Sequence, residues 1–310
     1  MEKWQPSTLS WSFSRKTHFD SCRRFYFYNR FWGQDPKLKW RLFTMRSITT
    51  LMMLRGAVVH EVIANALESV REGKTPDVEA VKRRVTEIMR EKYMESYHRL
   101  WEYDNRLPGR KLSSITNLLE HFYNFPDVME QARVARQVAW SAIENLMNSE
   151  FWREVTGADP ESWREVEAEG FPSFDLDGIM VYTRIDFAHS QDQPTIIDWK
   201  TGQQTETDRK QLTLYSLYAE SKWGWKPTET RLAAVYLQPE LTIDSFSPTG
   251  EEIDAVTQEV KQNFAQMVEL EPAYGLAQID DFPLTEDISN CRYCRFQGIC
   301  EGAVRLQNVT

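Results

Sequence analysis

The chain has 310 residues, of which 41% are hydrophobic, and a formal net charge of −9. That is enough apolar material for a packed interior, yet no run approaches the roughly 20 apolar residues of a membrane span. The opening MEKWQPSTLS lacks the basic-then-apolar pattern of a secretion signal, so a cytoplasmic location is expected.

The acidic total argues at first against a nucleic-acid partner, whose binding rests on neutralising phosphates, but the charge is unevenly placed. Residues 1–55 hold 11 Lys and Arg against 3 Asp and Glu, leaving 26 against 43 for the rest. Arg23, Arg24 and Arg30 stand there among Trp11, Phe13, Phe19, Phe25, Tyr26, Phe27, Tyr28, Phe31, Trp32 and Trp40. Two readings are open. The segment is a phosphate-facing surface whose rings stack on the bases of single-stranded DNA, or it is a solvated basic face over an aromatic core.

Apolar residues then recur at helical spacing over 43–70 and 76–102, the second run opening on Thr75 as cap, Pro76 in the first turn and Asp77 as first-turn acid. A third helix is expected over 126–152. From Trp163 the pattern changes to strand-like segments at 163–171, 173–188 and 194–202, separated by turn residues and expected to form an antiparallel meander. A helix over 207–222, strands over 230–238 and 241–246, a helix over 251–270 and a turn-rich tail complete the order. The fold class is therefore α/β (α+β): a mixed sheet flanked by helices. The 310 residues read as a single domain, with a mainly helical part to 160, a core from 161 to 270 and a cysteine-rich tail from 271.

In IIDWKTG, Asp198 and Lys200 are two apart on a strand, so they share one face while Trp199 takes the other. Asp186, in RIDFA, lies one turn upstream, and an antiparallel return brings it toward Asp198. Two carboxylates with further oxygen ligands suit Mg2+ or Mn2+. Such an ion activates water and offsets charge on phosphate, with Lys200 orienting the water or stabilising the transition state. Taken without context, an Asp-x-Lys pair also fits a surface ion pair on a hairpin.

The series R-I-D ending at Asp186, I-I-D-W-K-T-G around Asp198, and Q-L-T-L-Y from Gln211 to Tyr215 closely resembles the RecB and AddB branch of the PD-(D/E)XK nucleases. The resemblance implies a restriction-endonuclease-like core in which Asp186 and Asp198 bind the metal, Lys200 is catalytic, and Gln211 and Tyr215 follow on the next helix. It further implies a ligand role for the Trp199 backbone carbonyl. R-G-A-V-V-H resembles the branch's G-x-x-x-H motif and makes His60 an additional ligand. Family members often carry a glutamate on the preceding strand; Glu167 is the candidate, with Glu165 two residues before it and indistinguishable by alternation. Ile185 stands where the family name has its proline.

C-R-Y-C-R-F-Q-G-I-C places Cys291, Cys294 and Cys300 in the tail, with Cys22 far upstream. This arrangement resembles the AddB nuclease domain and the iron-sulfur nucleases of CRISPR adaptation, which implies a [4Fe-4S] cluster joining the two ends. A four-thiolate Zn2+ site uses the same residues, and reduced thiols are the simplest alternative. The expected function is a nuclease of single-stranded DNA or DNA ends in repair, recombination or CRISPR adaptation, with a helicase or adaptation partner and no membrane. The rival is a catalytically inactive DNA-binding or scaffold subunit of a helicase-nuclease complex; the intact Asp186, Asp198 and Lys200 favour the enzyme.

Overall fold

A computed structural model describes residues 9–31, 36–102, 114–167, 170–270 and 277–303. The chain opens with α1 (Phe13–Ser21), α2 (Arg23–Arg30) and α3 (Pro36–Arg46). Ser12 caps α1, its side chain accepting from the Arg15 N–H, and the Cys22 side chain accepts from Phe25 N at the start of α2. Strand β1 (Ile48–Thr49) and helices α4 (Leu51–Arg71) and α5 (Val78–Tyr97) follow, then β2 (Asn117–Leu118), α6 (Leu119–Phe122), α7 (Val128–Met147) and α8 (Glu150–Gly157).

The expected helix over 43–70 is in fact two, because the chain extends through β1 and Thr50 then caps α4 by accepting from Met53 N. In α5 the cap is Asp77, accepting from Ala80 N at 2.8 Å, rather than Thr75. The helix over 126–152 also divides, as Ser149 ends one helix and caps the next.

The mixed sheet contains β3 (Trp163–Val166), β6 (Phe187–His189), β7 (Thr195–Lys200), β8 (Arg231–Tyr236) and β9 (Thr242–Phe246), in the order β3-β6-β7-β8-β9. Only β7 and β8 are parallel, joined through α9 (Glu206–Trp223). The intervening β4 (Ser173–Leu176) and β5 (Ile179–Tyr182) form a separate hairpin instead of continuing the meander. Asp177 and Gly178, with φ of 51° and 86°, make its turn, the left-handed pair that matches strand twist in a two-residue loop. Helix α10 (Gly250–Leu270) and the short α11 (Ser289–Arg292) complete the elements.

Strand alternation divides the core into two layers. Phe187, Ile197, Trp199, Ala233 and Val235 pack against α4, α5, α7 and α8. Ala188, Ile196, Leu232, Ala234 and Tyr236 pack against α9, α10 and the N-terminal segment. The latter segment is strapped on by Trp11. Its backbone bonds Met180 and Tyr182 of β5, and its fully buried indole donates to Asn263 of α10 at 2.9 Å. Truncating such a ring to alanine costs about 3–5 kcal/mol.

Most of the N-terminal aromatics belong to the core: Trp11, Phe19, Tyr26, Tyr28 and Phe31 are buried and Phe13, Phe25 and Phe27 partly so, whereas Trp40 is 47% exposed. Trp32 lies outside the described residues. Several of the basic residues serve the fold. Arg46 binds the carbonyls of Tyr28 and Phe31, Arg41 that of Gly298, and Arg24 that of Phe282. No described helix is long and apolar enough to cross a membrane.

Candidate metal-dependent active site

The β6–β7 register places Phe187 opposite Ile197, so the antiparallel ladder carries Asp186 toward Asp198. Asp186 Oδ2 accepts the Trp199 N–H at 2.7 Å, while Oδ1 lies 3.2 Å from His60 Nδ1. His60 is also 3.7 Å from Glu167 Oε2, whose other oxygen pairs with Arg184 at 2.5 Å. One ligand atom from each of His60, Glu167 and Asp186 falls within 4.8 Å of the others, the spacing of a site that can hold a cation.

Glu165 and Glu167, equivalent by alternation, are separated by the backbone. Glu165 pairs with Ala188 inside the sheet. Beyond Val166 the chain turns left-handed at Glu167 (φ 48°), and this conformation, uncommon for a residue with a side chain, delivers its carboxylate to His60.

Asp198 is buried, 4% exposed, and its Oδ2 lies 2.6 Å from Lys200 Nζ. Paired with the ammonium, this buried oxygen still has a second lone pair to offer. Burial and the nearby Asp186 charge push the Asp198 carboxyl up to about 7, against the opposing pull of Lys200. Lys200 donates to Gln211 Oε1 at 2.8 Å, and Gln211 Nε2 donates to the Tyr215 hydroxyl at 2.7 Å. Burial lowers the Lys200 pKa, but Asp198 and Asp208 outweigh it and hold the ammonium charged. Burial beside Asp198 and Asp186 keeps Tyr215 a neutral phenol. At His60, too, desolvation is outweighed, by Asp186 and then Glu167, and its pKa stands well above the ordinary 6.5.

These groups line an open cleft of about 1230 Å³ between α4 and the end of β7. Gly56 explains how α4 comes so close. A Cβ there would stand 3.2 Å from Thr201 Oγ1, in the loop after β7, and Arg55 clasps the Thr201 carbonyl at 3.1 Å. Gly56 and His60 are four apart, so the face that touches the loop also presents the imidazole.

The family model of the PD-(D/E)XK nuclease superfamily matches residues 10–301. The chain belongs to the PD-(D/E)XK nuclease superfamily. No curated protein matches it. Among solved structures it is similar to one described as "Crystal structure of SSO0001", with 14% identity and a TM-score of 0.30 over 59% of this chain and 79% of that one.

Two residues of this cluster escaped the sequence reading. Asp208 lies 3.4 Å from Lys200 and accepts from Tyr236 Oη and Thr205 N. Its signal was the T-x-x-D spacing at the start of α9, a capping pattern. The other, Arg184, belongs to the R-I-D string itself. The arginines proposed for DNA are placed differently. Arg24 is buried, on Phe282 and Glu301, and Arg23 packs over the Phe19 ring beside Asp20; Arg30 lines a groove next to the cleft.

Far along the sequence, Cys22 meets the tail. Cys22, Cys291, Cys294 and Cys300 line one mostly apolar cavity of about 270 Å³. Cys22 and Cys294 accept backbone N–H groups from Phe25 and Phe296, each at 3.4 Å. Burial, with the other thiols nearby, pushes Cys294 up to about 12. Four such groups facing one cavity fit a bound thiolate-ligated centre, which would draw off their protons.

Proposed function

We propose that the chain is a Mg2+- or Mn2+-dependent deoxyribonuclease acting on single-stranded DNA or DNA ends, in the cytoplasm, beside a helicase or within CRISPR adaptation. The observation that carries the reading is the grouping of His60, Glu167 and Asp186 within ligand distance of one another, next to the buried Asp198–Lys200 pair, in an open cleft of about 1230 Å³. Asp198, with its second lone pair, and the Trp199 carbonyl are the further ligands.

When bound, the ion supplies Lewis-acid activation of water and phosphate. Asp186 orients itself through Trp199 N–H, and His60 adds a nitrogen donor that suits Mn2+ better than Mg2+. Lys200, kept charged by Asp198 and Asp208, would offset negative charge growing on a phosphate held at the metal. Gln211 fixes the ammonium from the other side and positions the neutral Tyr215 phenol for a hydrogen bond with the substrate.

For the cysteines, the [4Fe-4S] reading is supported by all four thiols lining one cavity; a four-thiolate zinc site uses the same residues and is the alternative. Digestion of end-labelled single- and double-stranded DNA with each metal, against Lys200→Ala, tests the enzyme reading. Loss of label only with divalent ion, and only in the parent protein, is expected; equal cleavage by the variant would refute it.

A further inference from the structure

We infer that a groove beside the metal cleft, lined by Arg15, Arg30, Arg184 and Phe171, holds the single-stranded DNA that continues from the cleaved phosphate, with one base stacked on Phe171. This rests on the nuclease reading above and adds where the strand runs.

The groove, about 650 Å³, shares Gly170, Arg184, Gln211 and Tyr215 with the metal cleft, so the two form one continuous path. Their charge balance differs. The metal cleft has five carboxylates, Glu61, Glu68, Glu167, Asp186 and Asp198, beside Lys200, His60 and Arg184, whereas the described lining of the groove has three arginines and no carboxylate, Arg184 being shared and paired with Glu167. On a chain of net charge −9, a local excess of arginine beside the metal cleft favours the phosphate backbone of a polynucleotide.

Phe171 supplies the second observation. It is 88% exposed, the most exposed large apolar side chain among the described residues. Gly170 (φ 75°) makes the left-handed turn that throws the ring outward, and Tyr182 supports it edge-on, with centroids 6.3 Å apart. A ring held out of the core at the mouth of a basic groove matches the stacking platform on which unpaired bases rest, and a base inside a duplex cannot reach it. The Trp11 strap onto β5 brings α1, and hence Arg15, to the same wall; Arg15 is braced there by Ser10.

The test uses the full chain in EDTA, so that binding is read without cleavage. Anisotropy of an end-labelled oligothymidylate and of a blunt duplex of equal length is measured for the parent, Phe171→Ala and Arg15→Gln/Arg30→Gln. Phe171→Ala should weaken single-strand binding at least about 5-fold, the lower end for one stacked base, with duplex binding unchanged. Because this ring is exposed, its loss does not threaten folding. The arginine pair should lower the single-strand salt slope by about 1.4. Parent-like single-strand affinity in both variants, or equal loss on duplex, overturns the groove. In that event divalent-dependent cleavage by the parent still upholds the nuclease. Conversely, Phe171-dependent binding without any such cleavage upholds the groove and retires the nuclease.

Discussion

Asp198→Asn should make the metal-free protein more stable while abolishing cleavage. The native fold buries a carboxylate that burial and Asp186 push from the ordinary 3.8 up to about 7. Three units correspond to about 4 kcal/mol, at roughly 1.4 kcal/mol each. The sign follows from proton binding. Between these two values the folded state holds a proton that the unfolded chain has lost, so stability falls as pH rises from about 4 to about 7 and is flat above. Asparagine keeps the shape and removes this cost, but it also deprives Lys200 of its 2.6 Å partner, leaving Asp208 at 3.4 Å and Gln211 at 2.8 Å. The rise to about 7 already nets the attraction of Lys200, but an amide facing the ammonium fits less well than a protonated carboxyl and offsets part of the gain. A net stabilisation of about 1–3 kcal/mol at pH 8 remains, or about 2–6 °C in Tm for a domain of this size. Thermal unfolding in EDTA at pH 8 and pH 5 reads it, and the advantage should shrink at the lower pH. A variant less stable than the parent at pH 8, or an advantage indifferent to pH, would refute the reasoning.

Asp186→Ala and Lys200→Ala should each lower turnover by at least about 100-fold, with the fold retained by circular dichroism, since each removes metal or transition-state stabilisation. The His60 imidazole, held protonated by Asp186 and Glu167, must give up its proton to solvent before its nitrogen can ligate a metal. Apparent Mn2+ affinity should therefore rise as pH increases from 6 to 8, a slope flattened by His60→Gln in parallel titrations. Gly56→Val, whose branched side chain meets Thr201, should reduce cleavage through displacement of α4, which single-turnover rates would show. Serine at Cys22, Cys291, Cys294 or Cys300 should bleach visible absorption and lower Tm; stoichiometric zinc without iron or sulfide in the parent would instead identify a zinc clamp.

The active strand was legible because β7 combines a two-residue period with an apolar run buried on both faces, leaving Asp198 and Lys200 as its polar exceptions. Likewise Gly56 and His60 stand one helical turn apart, a spacing visible in the string. The three opening helices were not legible. RRFYFYNR is rich in residues with weak helix propensity, and α2 forms through its Cys22 cap and through packing against residues near 282 and 296. Glu167 and Glu165 were inseparable for a similar reason: the choice depends on a backbone angle after the strand ends. The exposed Phe171 and its arginine neighbours depend on a hairpin leaving the main sheet, which alternation along β4 and β5 does not encode.

The Trp11 strap and the Cys22 corner have a bearing on how the protein is made. Both are synthesised well before the residues that hold them: Trp11 finds its hydrogen-bond partner at Asn263, Arg24 at Phe282 and Cys22 its cavity-mates from Cys291 to Cys300. At about 5–20 residues per second, the opening segment waits roughly 15–50 s for them. Throughout that interval its aromatic side chains lack the tail that covers them, making it a natural client for chaperones. The wall carrying Arg15 is also incomplete. A chain that stops short of Asn263 therefore lacks the partner that anchors the Trp11 strap, and the wall holding Arg15 is assembled only once α10 has been made.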